Sequence, residues 1–190
     1  MTIKLTPPLV VDDPRMGGNV KRWHTWPMIQ QQSVAEHSWN VARILLAIWP
    51  DARGQVVVQA MFHDVEEVRT GDPPSRVKAD DPELQLRYHE MEADTRNTMC
   101  NRFALPRDMH DELSMVERWI LKLADIAEMW EFCLQEMTLG NKFALGPRDR
   151  AGEALEKFLK VQIPHHEETQ RVVARNLSVY MARRSGSWMW

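Results

Sequence analysis

Three places in this sequence put metal-binding or proton-moving groups where an amphipathic helix would carry apolar residues. His37 stands in Ser33-Val34-Ala35-Glu36-His37-Ser38, and His63-Asp64 interrupts Gln59-Ala60-Met61-Phe62-His63-Asp64-Val65. Asp125 lies within Leu121-Lys122-Leu123-Ala124-Asp125-Ile126-Ala127. A carboxylate inside an apolar helical run is costly to bury without a partner, and a cation removes that cost. Two imidazoles and two carboxylates from three helices form a mixed N/O donor set for Mn²⁺, Co²⁺, Fe²⁺, Ni²⁺ or Zn²⁺. Four such ligands leave positions for water and a phosphate oxygen, which is what hydrolysis requires.

Further residues fit around that set. Glu67 follows His63 by four positions and Asp64 by three, which on one continuous helix gives a shared face. There it could position or deprotonate a water. Asp72, just past the helix-ending Gly71, reaches the same cleft from a loop. Arg22 and Lys78 supply cations for phosphate oxygens, and Trp23 offers a flat face for a sugar or base. Each has a plainer alternative. His37 could be a hydrogen-bonded core histidine, Asp125 could pair with Arg118 or Lys122 on its own helix, and Glu67 could face solvent. Asp72 could be a turn residue, Arg22 and Lys78 surface cations, and Trp23 and Trp26 anchors for the chain's start. His24, His89, His110 and His165-His166 carry no such pattern. The order His, then His-Asp with Glu at plus three, then a lone apolar-flanked Asp raises the functional reading above these alternatives.

The elements that position these groups are helical. Ser33 and Glu36 have capping-box spacing, and Val34, Val41, Ile44, Leu45 and Ile48 recur at helical intervals before Trp49-Pro50-Asp51. A second helix is predicted from about 53 to 69, stopped by Gly71, and a third over 81–102. A long helical stretch follows Pro106 to Leu139, broken near 108–112. Gly140 and Gly146-Pro147 mark a loop, and helices follow over 149–162 and 165–183. Residues 1–21, with Pro7-Pro8, Asp12-Asp13-Pro14 and Gly17-Gly18, read as an extended arm and a turn. The fold class is all-α, one domain.

The composition sets outer bounds. A chain of 190 residues that is 44% hydrophobic and 27% charged can bury one core. A net charge of −3 and a pI near 6.2 give no footprint for a nucleic-acid polymer. Cys100 and Cys133 are too few for a disulfide framework and fit a reducing cytoplasm. Val41–Trp49 is far short of a membrane span, and the first residues lack the apolar segment of a signal peptide. The Trp188-Met189-Trp190 end would expose apolar surface and suggests a subunit contact.

Arg22-Trp23, Val34-Ala35-Glu36-His37-Ser38, Phe62-His63-Asp64-Val65-Glu66-Glu67-Val68-Arg69-Thr70-Gly71-Asp72-Pro73-Pro74 and Lys122-Leu123-Ala124-Asp125 together resemble the HD-domain phosphohydrolases. Within them the chain is similar to the bacterial 5′-deoxynucleotidase branch and its bacteriophage relatives. The resemblance implies a compact helical fold, divided as arm 1–21, HD domain 22–184 and tail 185–190. It implies metal ligands His37, His63, Asp64 and Asp125, with Mn²⁺, Co²⁺ or Zn²⁺ at the site and Mg²⁺ accompanying the nucleotide. Glu67 matches the water-activating residue, Asp72 the carboxylate on the leaving-group side, and Arg22 and Lys78 the phosphate contacts. Trp23 matches a tryptophan that leaves no room for a 2′-hydroxyl. The implied function is hydrolysis of 2′-deoxynucleotides in the cytoplasm, that of the host if the chain is viral, by a homo-oligomer. The Gly17-Gly18-x-Val20-x-Arg22-Trp23-His24-Thr25 lead-in resembles the phage branch, which removes triphosphate from dATP. Thr25, however, stands where an adenine-selective pocket would carry a bulky apolar residue. The alternatives are a 5′-deoxynucleotidase acting on deoxynucleoside monophosphates and, more distantly, a non-catalytic nucleotide-binding module. A cyclic-nucleotide phosphodiesterase would need further ligating histidines, for which only His89 and His110 are placed between Asp64 and Asp125.

Overall fold

The computed structural model describes residues 13–73, 81–103 and 113–187, with only the backbone of Ser187. The helices are α1 (Pro14–Gly17), α2 (Val34–Ile48), α3 (Gly54–Phe62), α4 (Glu67–Thr70), α5 (Pro82–Phe103), α6 (Met115–Thr138), α7 (Leu145–Leu159) and α8 (Glu167–Ser187). A 3₁₀ turn, Lys142–Ala144, leads into α7. Among the described residues there is no strand, only an isolated bridge between Lys21 and Ser33. The all-α expectation holds. No described helix is long and apolar enough to cross a membrane.

Helix α6 is the axis, packing against α2, α3, α7 and α8, while α4 sits between α1 and α5. Ile44, Leu45 and Ile48 of α2 meet Ile120, Leu123 and Ala127 of α6 in the fully buried core. Asp125, Glu128, Phe132 and Glu136 lie on α6 at steps of three and four, so they share one face. That face looks toward the segment 22–32 and the start of α2, through the contacts described below.

Three boundaries and one cap differ from the periodicity. The predicted helix over 53–69 is two helices, broken at 63–66. Gly146-Pro147 belong to the first turn of α7, where the missing proline N–H has no intrahelical partner to lose. The arm is not wholly extended, because Asp13 accepts the Arg15 N–H and Pro14 opens one helical turn. Ser33 caps α2 by accepting the Glu36 N–H at 3.2 Å, but only this half of the expected capping box forms. The expected break near 108–112, His110 and the Trp188–Trp190 end lie outside the described residues. Both cysteines are free, and burial pushes the Cys133 thiol up to about 12.

The start of α6 is fixed by a full capping box, Ser114 with Glu117. The second Glu117 oxygen takes the Arg53 Nε–H at 2.6 Å, tying α6 to the start of α3. Arg53, with help from Ser114, holds the Glu117 carboxyl at about 2 against an ordinary 4.5. A depressed carboxyl contributes stability that is complete above its unfolded value and lost as pH falls through its folded one. Glu117→Gln is therefore expected to cost about 1 kcal/mol at pH 7. In paired denaturant titrations the gap to wild type should narrow steadily from pH 4.5 towards 2.

Candidate active site

His37 lies in the first turn of α2 and is fully buried. Its Nδ1 is 2.6 Å from Glu128 Oε2 on α6. His63 caps α3, and its Nδ1 is 2.8 Å from the carbonyl oxygen of Ala60, one turn back. A carboxylate and a carbonyl only accept, so both imidazoles carry their proton on Nδ1 and turn Nε2 inward. Neither Nε2 has a hydrogen-bond partner among the described residues, although both are buried. His37 Nε2 is 3.3 Å from Asp125 Oδ1 and 3.5 Å from Asp64 Oδ2, and His63 Nε2 is 3.3 Å from the same Asp64 oxygen. Donor atoms of His37, His63 and Asp125 all lie within 4.8 Å of one another. Ligands bound at about 2.0–2.2 Å around one tetrahedral ion lie roughly 3.4 Å apart. The fit is that of a divalent metal site with outer partners already fixing both rings.

The electrostatics agree. Burial works against the Asp125 carboxylate, but Lys122 and His37 hold it well below the usual range. Asp64 is likewise lowered, by His63, Arg22 and His37 against its burial. Burial and Arg22 both disfavour charge on His37, yet Glu128 and Asp125 push it up to about 9.

The break between α3 and α4 is what aims Asp64. His63 Nδ1 takes a carbonyl of its own helix, Val65 N bonds back only to Phe62 O, and the chain turns before restarting at Glu67. Gly17 of α1 presses on this turn. A Cβ there would meet Val65 O at 2.4 Å and Val65 Cγ2 at 2.9 Å. Gly17→Ala must therefore shift α1 or the His63–Val65 turn against which it packs. We expect a stability loss of about 1–3 kcal/mol in chemical denaturation, with weakened metal binding alongside it.

The remaining expected residues are placed unevenly. Arg22 is not a free phosphate cation: its Nη1 sits 2.8 Å from Asp64 Oδ2 and 3.6 Å from Asp72 Oδ1. Burial alone would lower this guanidinium, but Asp64, Asp72, Asp125 and Glu67 push it up. Its Nε is buried with no hydrogen-bond partner among the described residues. Asp72 reaches the cleft as expected, accepting the Trp23 N–H at 3.4 Å. Gly71 permits this with φ +68° and ψ −178°, a combination that is essentially glycine's alone. Glu67 is buried at the start of α4 beside Arg22, although the shared-face argument fails because the helix is broken between His63 and Glu67. Trp23 stacks on Phe132 with centroids 5.7 Å apart, so it does anchor the segment, and it also borders the site through Asp72. Lys78 lies outside the described residues. His24, His89 and His165 are exposed, and no second metal group occurs among the described residues.

Three residues escape a reading by motif. Glu128 and Gln32 orient the site from behind, and Lys122, legible only as a helix neighbour, holds its Nζ 2.6 Å from Asp125 Oδ2 while half-exposed. Asp125 thus has its own-helix partner and faces the imidazoles at the same time. The available signal for Glu128 is its place three residues after Asp125 on one helical face.

A sequence model described as 5′-deoxynucleotidase YfbR-like matches residues 15–167. The chain belongs to the YfbR-like family. Similar relatives of this YfbR-like chain include a 5′-deoxynucleotidase of Vibrio cholerae, 27% identical over 79% of this chain and 90% of the relative. Another is a 5′-deoxynucleotidase of Vibrio vulnificus, 29% identical over 78% of this chain and 89% of the relative. Among solved structures, the cyanophage S-2L HD phosphohydrolase DatZ, bound to dA and one catalytic Zn²⁺ ion, superposes with a TM-score of 0.70 at 19% identity. That match covers 94% of this chain and 99% of DatZ. An HD-domain phosphohydrolase of Listeria innocua gives 0.64 at 19% identity, over 90% and 85%. These likenesses carry the HD fold, and with the family they make this YfbR-like chain a metal-dependent phosphohydrolase.

Proposed function

We propose that the chain hydrolyses 2′-deoxynucleotides at the α-phosphate, with His37, His63, Asp64 and Asp125 as metal ligands. The observation that carries this reading is the convergence of two Nδ1-anchored imidazoles, His37 buried and His63 half-buried, on two carboxylates, with unpartnered buried Nε2 atoms facing inward. When bound, a Mn²⁺, Co²⁺ or Zn²⁺ ion supplies Lewis-acid polarisation of the phosphoryl oxygens. Glu67 takes a proton from the attacking water. The water oxygen bonds to phosphorus, the P–O5′ bond breaks, and the 5′ oxygen, on the side of Asp72, takes up a proton from water and leaves as a hydroxyl. Arg22, Lys78 and Lys122 supply positive charge against that building on the phosphoryl oxygens. Trp23, with one ring face against Phe132, sets the other against the sugar and excludes a 2′-hydroxyl.

Residues 22–184 form the catalytic domain, with 1–21 as arm and 185–190 as tail, acting in the cytoplasm as a homo-oligomer. The substrate is a small deoxynucleotide, and neither a nucleic-acid polymer nor a membrane is a partner. Two phosphate-chain lengths share this chemistry. The phage-like Gly17–Thr25 lead-in favours a dNTP, dATP foremost, released as triphosphate. The names of the Vibrio relatives favour deoxynucleoside monophosphates and release of inorganic phosphate.

Product analysis decides. Each dNMP, dNTP and matching ribonucleotide is incubated with the protein in Mn²⁺, Co²⁺, Zn²⁺ and Mg²⁺. Triphosphate and deoxyadenosine from dATP support the first length, and phosphate from several dNMPs supports the second. No turnover of any of them, or equal turnover of ribonucleotides, overturns the proposal.

A further inference from the structure

A continuous buried chain of hydrogen bonds joins the tryptophan of the sugar side to a metal ligand. The Trp23 indole N–H donates to Gln32 Oε1 at 3.2 Å. Gln32 Nε2 donates to Glu128 Oε1 at 2.7 Å, and the other Glu128 oxygen takes the His37 Nδ1 proton at 2.6 Å. Gln32, Glu128 and His37 are 1%, 3% and 0% exposed. The chemistry permits one arrangement. An indole N–H only donates and a carboxylate only accepts, so the carboxamide oxygen must face Trp23 and its nitrogen must face Glu128. A methionine or leucine in that place breaks both links, and a glutamate would oppose Glu128.

Gln32 also fixes the backbone here, because its carbonyl oxygen accepts the Arg22 N–H at 3.0 Å. Trp23 itself sits at φ +62°, a left-handed conformation that an aromatic residue adopts only when its surroundings hold it there. The Phe132 stack, the Asp72 carboxylate and Gln32 are what hold it.

We infer that Gln32 and Glu128 are positioning residues that couple the orientation of the Trp23 ring to occupancy of the metal site through His37. Metal binding at His37 Nε2 draws on the Glu128–His37 bond, and Gln32 passes the adjustment to the indole. Selectivity for the deoxy sugar then depends on the metal being in place. The selectivity part rests on the function proposed above, whereas the link between metal and indole does not.

The test uses the full chain with ¹⁵N-indole-labelled tryptophan, freed of metal and titrated with Zn²⁺. Trp23→Phe assigns the Trp23 resonance. Zn²⁺ is expected to move that resonance in the wild type and to leave it still in Gln32→Met, with the Zn²⁺ dissociation constant of Gln32→Met close to wild type. Glu128→Gln is expected to weaken Zn²⁺ by about 10–100-fold. In turnover, Gln32→Met and Trp23→Phe should each lower the deoxy-over-ribo ratio of kcat/KM by about tenfold or more. The double variant should fall no further, since both break one connection. Glu128→Gln, which keeps the indole and breaks the link to His37, serves as the second variant if Gln32→Met folds poorly, and at saturating Zn²⁺ it should likewise leave the Trp23 resonance still. A Trp23 resonance that still follows Zn²⁺ in Gln32→Met, Zn²⁺ affinity unchanged in Glu128→Gln, or additive losses of selectivity would each overturn the inference. A wild type that turns over no deoxynucleotide overturns the proposed function and leaves the resonance and affinity results to judge the coupling.

Discussion

Asp125→Ala is expected to lose metal and turnover together. Asp125 brings its Oδ1 to 3.3 Å from His37 Nε2 and shares with His37 and His63 the one close donor group among the described residues. Loss of an outer-shell partner costs about 10–100-fold in metal affinity, so loss of a ligand should exceed about 100-fold. The fold should survive, because Lys122, the other partner of Asp125, is half-exposed and can turn to water. Thermal unfolding gives a readout independent of activity. At 100 times the dissociation constant, a metal bound only by the folded state adds about 2.7 kcal/mol. Wild type should show that gain with Zn²⁺, and Asp125→Ala should show none. A variant that melts higher with Zn²⁺ to the same degree as wild type would remove Asp125 from the ligand set.

Glu67→Gln separates chemistry from metal binding. The side chain is buried at the head of α4, behind the turn that carries Asp64, and it adds to the negative field around Arg22. The amide keeps the shape and gives up the capacity to accept a proton. Removal of a positioned general base typically costs 10²–10⁴-fold, and kcat is expected to fall by about that much. The Zn²⁺ dissociation constant and KM should stay within about threefold of wild type, since a loss of uniform binding would appear in KM instead. Near-full kcat in Glu67→Gln, measured at saturating substrate, would transfer the base to another group.

The proposed metal ligands were legible because each breaks a pattern. His37 and Asp125 are polar residues inside apolar helical runs, and the sequence offers few reasons for that besides a partner or an ion. Glu128 is a different case. It stands on a helix that also carries Glu117, Glu131 and Glu136, so its type suggests a solvated face. Its partners Gln32 and His37 are 96 and 91 residues away along the chain, and no local signal reports such a contact. The helix break at His63 was hidden for a related reason. Residues 53–69 hold no proline and no interior glycine, and the turn is produced by a ring nitrogen competing for a carbonyl and by a glycine from α1. Both causes are tertiary. Gly146-Pro147 misled in the opposite direction, since a proline that ends one helix also opens another. The roles of Glu67 and Asp72 were reached by resemblance, and the structure adds that both surround Arg22.

The shared face of α6 has a mechanical meaning. Asp125 faces the His37 imidazole, Glu128 holds the back of that ring, and Phe132 lies beneath Trp23. At its far end, the buried Glu136 carboxylate takes the Ile29 and Gln30 N–H groups at 2.6 and 2.8 Å and the Asn141 side-chain amide at 2.7 Å. One helix therefore serves as a measuring rod, about 16 Å from Asp125 to Glu136 at 1.5 Å per residue, with the proposed metal site at one end and the segment 22–32 pinned along it. The two cannot drift apart by loop motion, because they have a common ruler. The same economy makes the rod intolerant of length change. A single residue added between Glu128 and Phe132 would rotate everything beyond it by about 100°, leaving the His37 end intact and turning the Trp23 end out of phase.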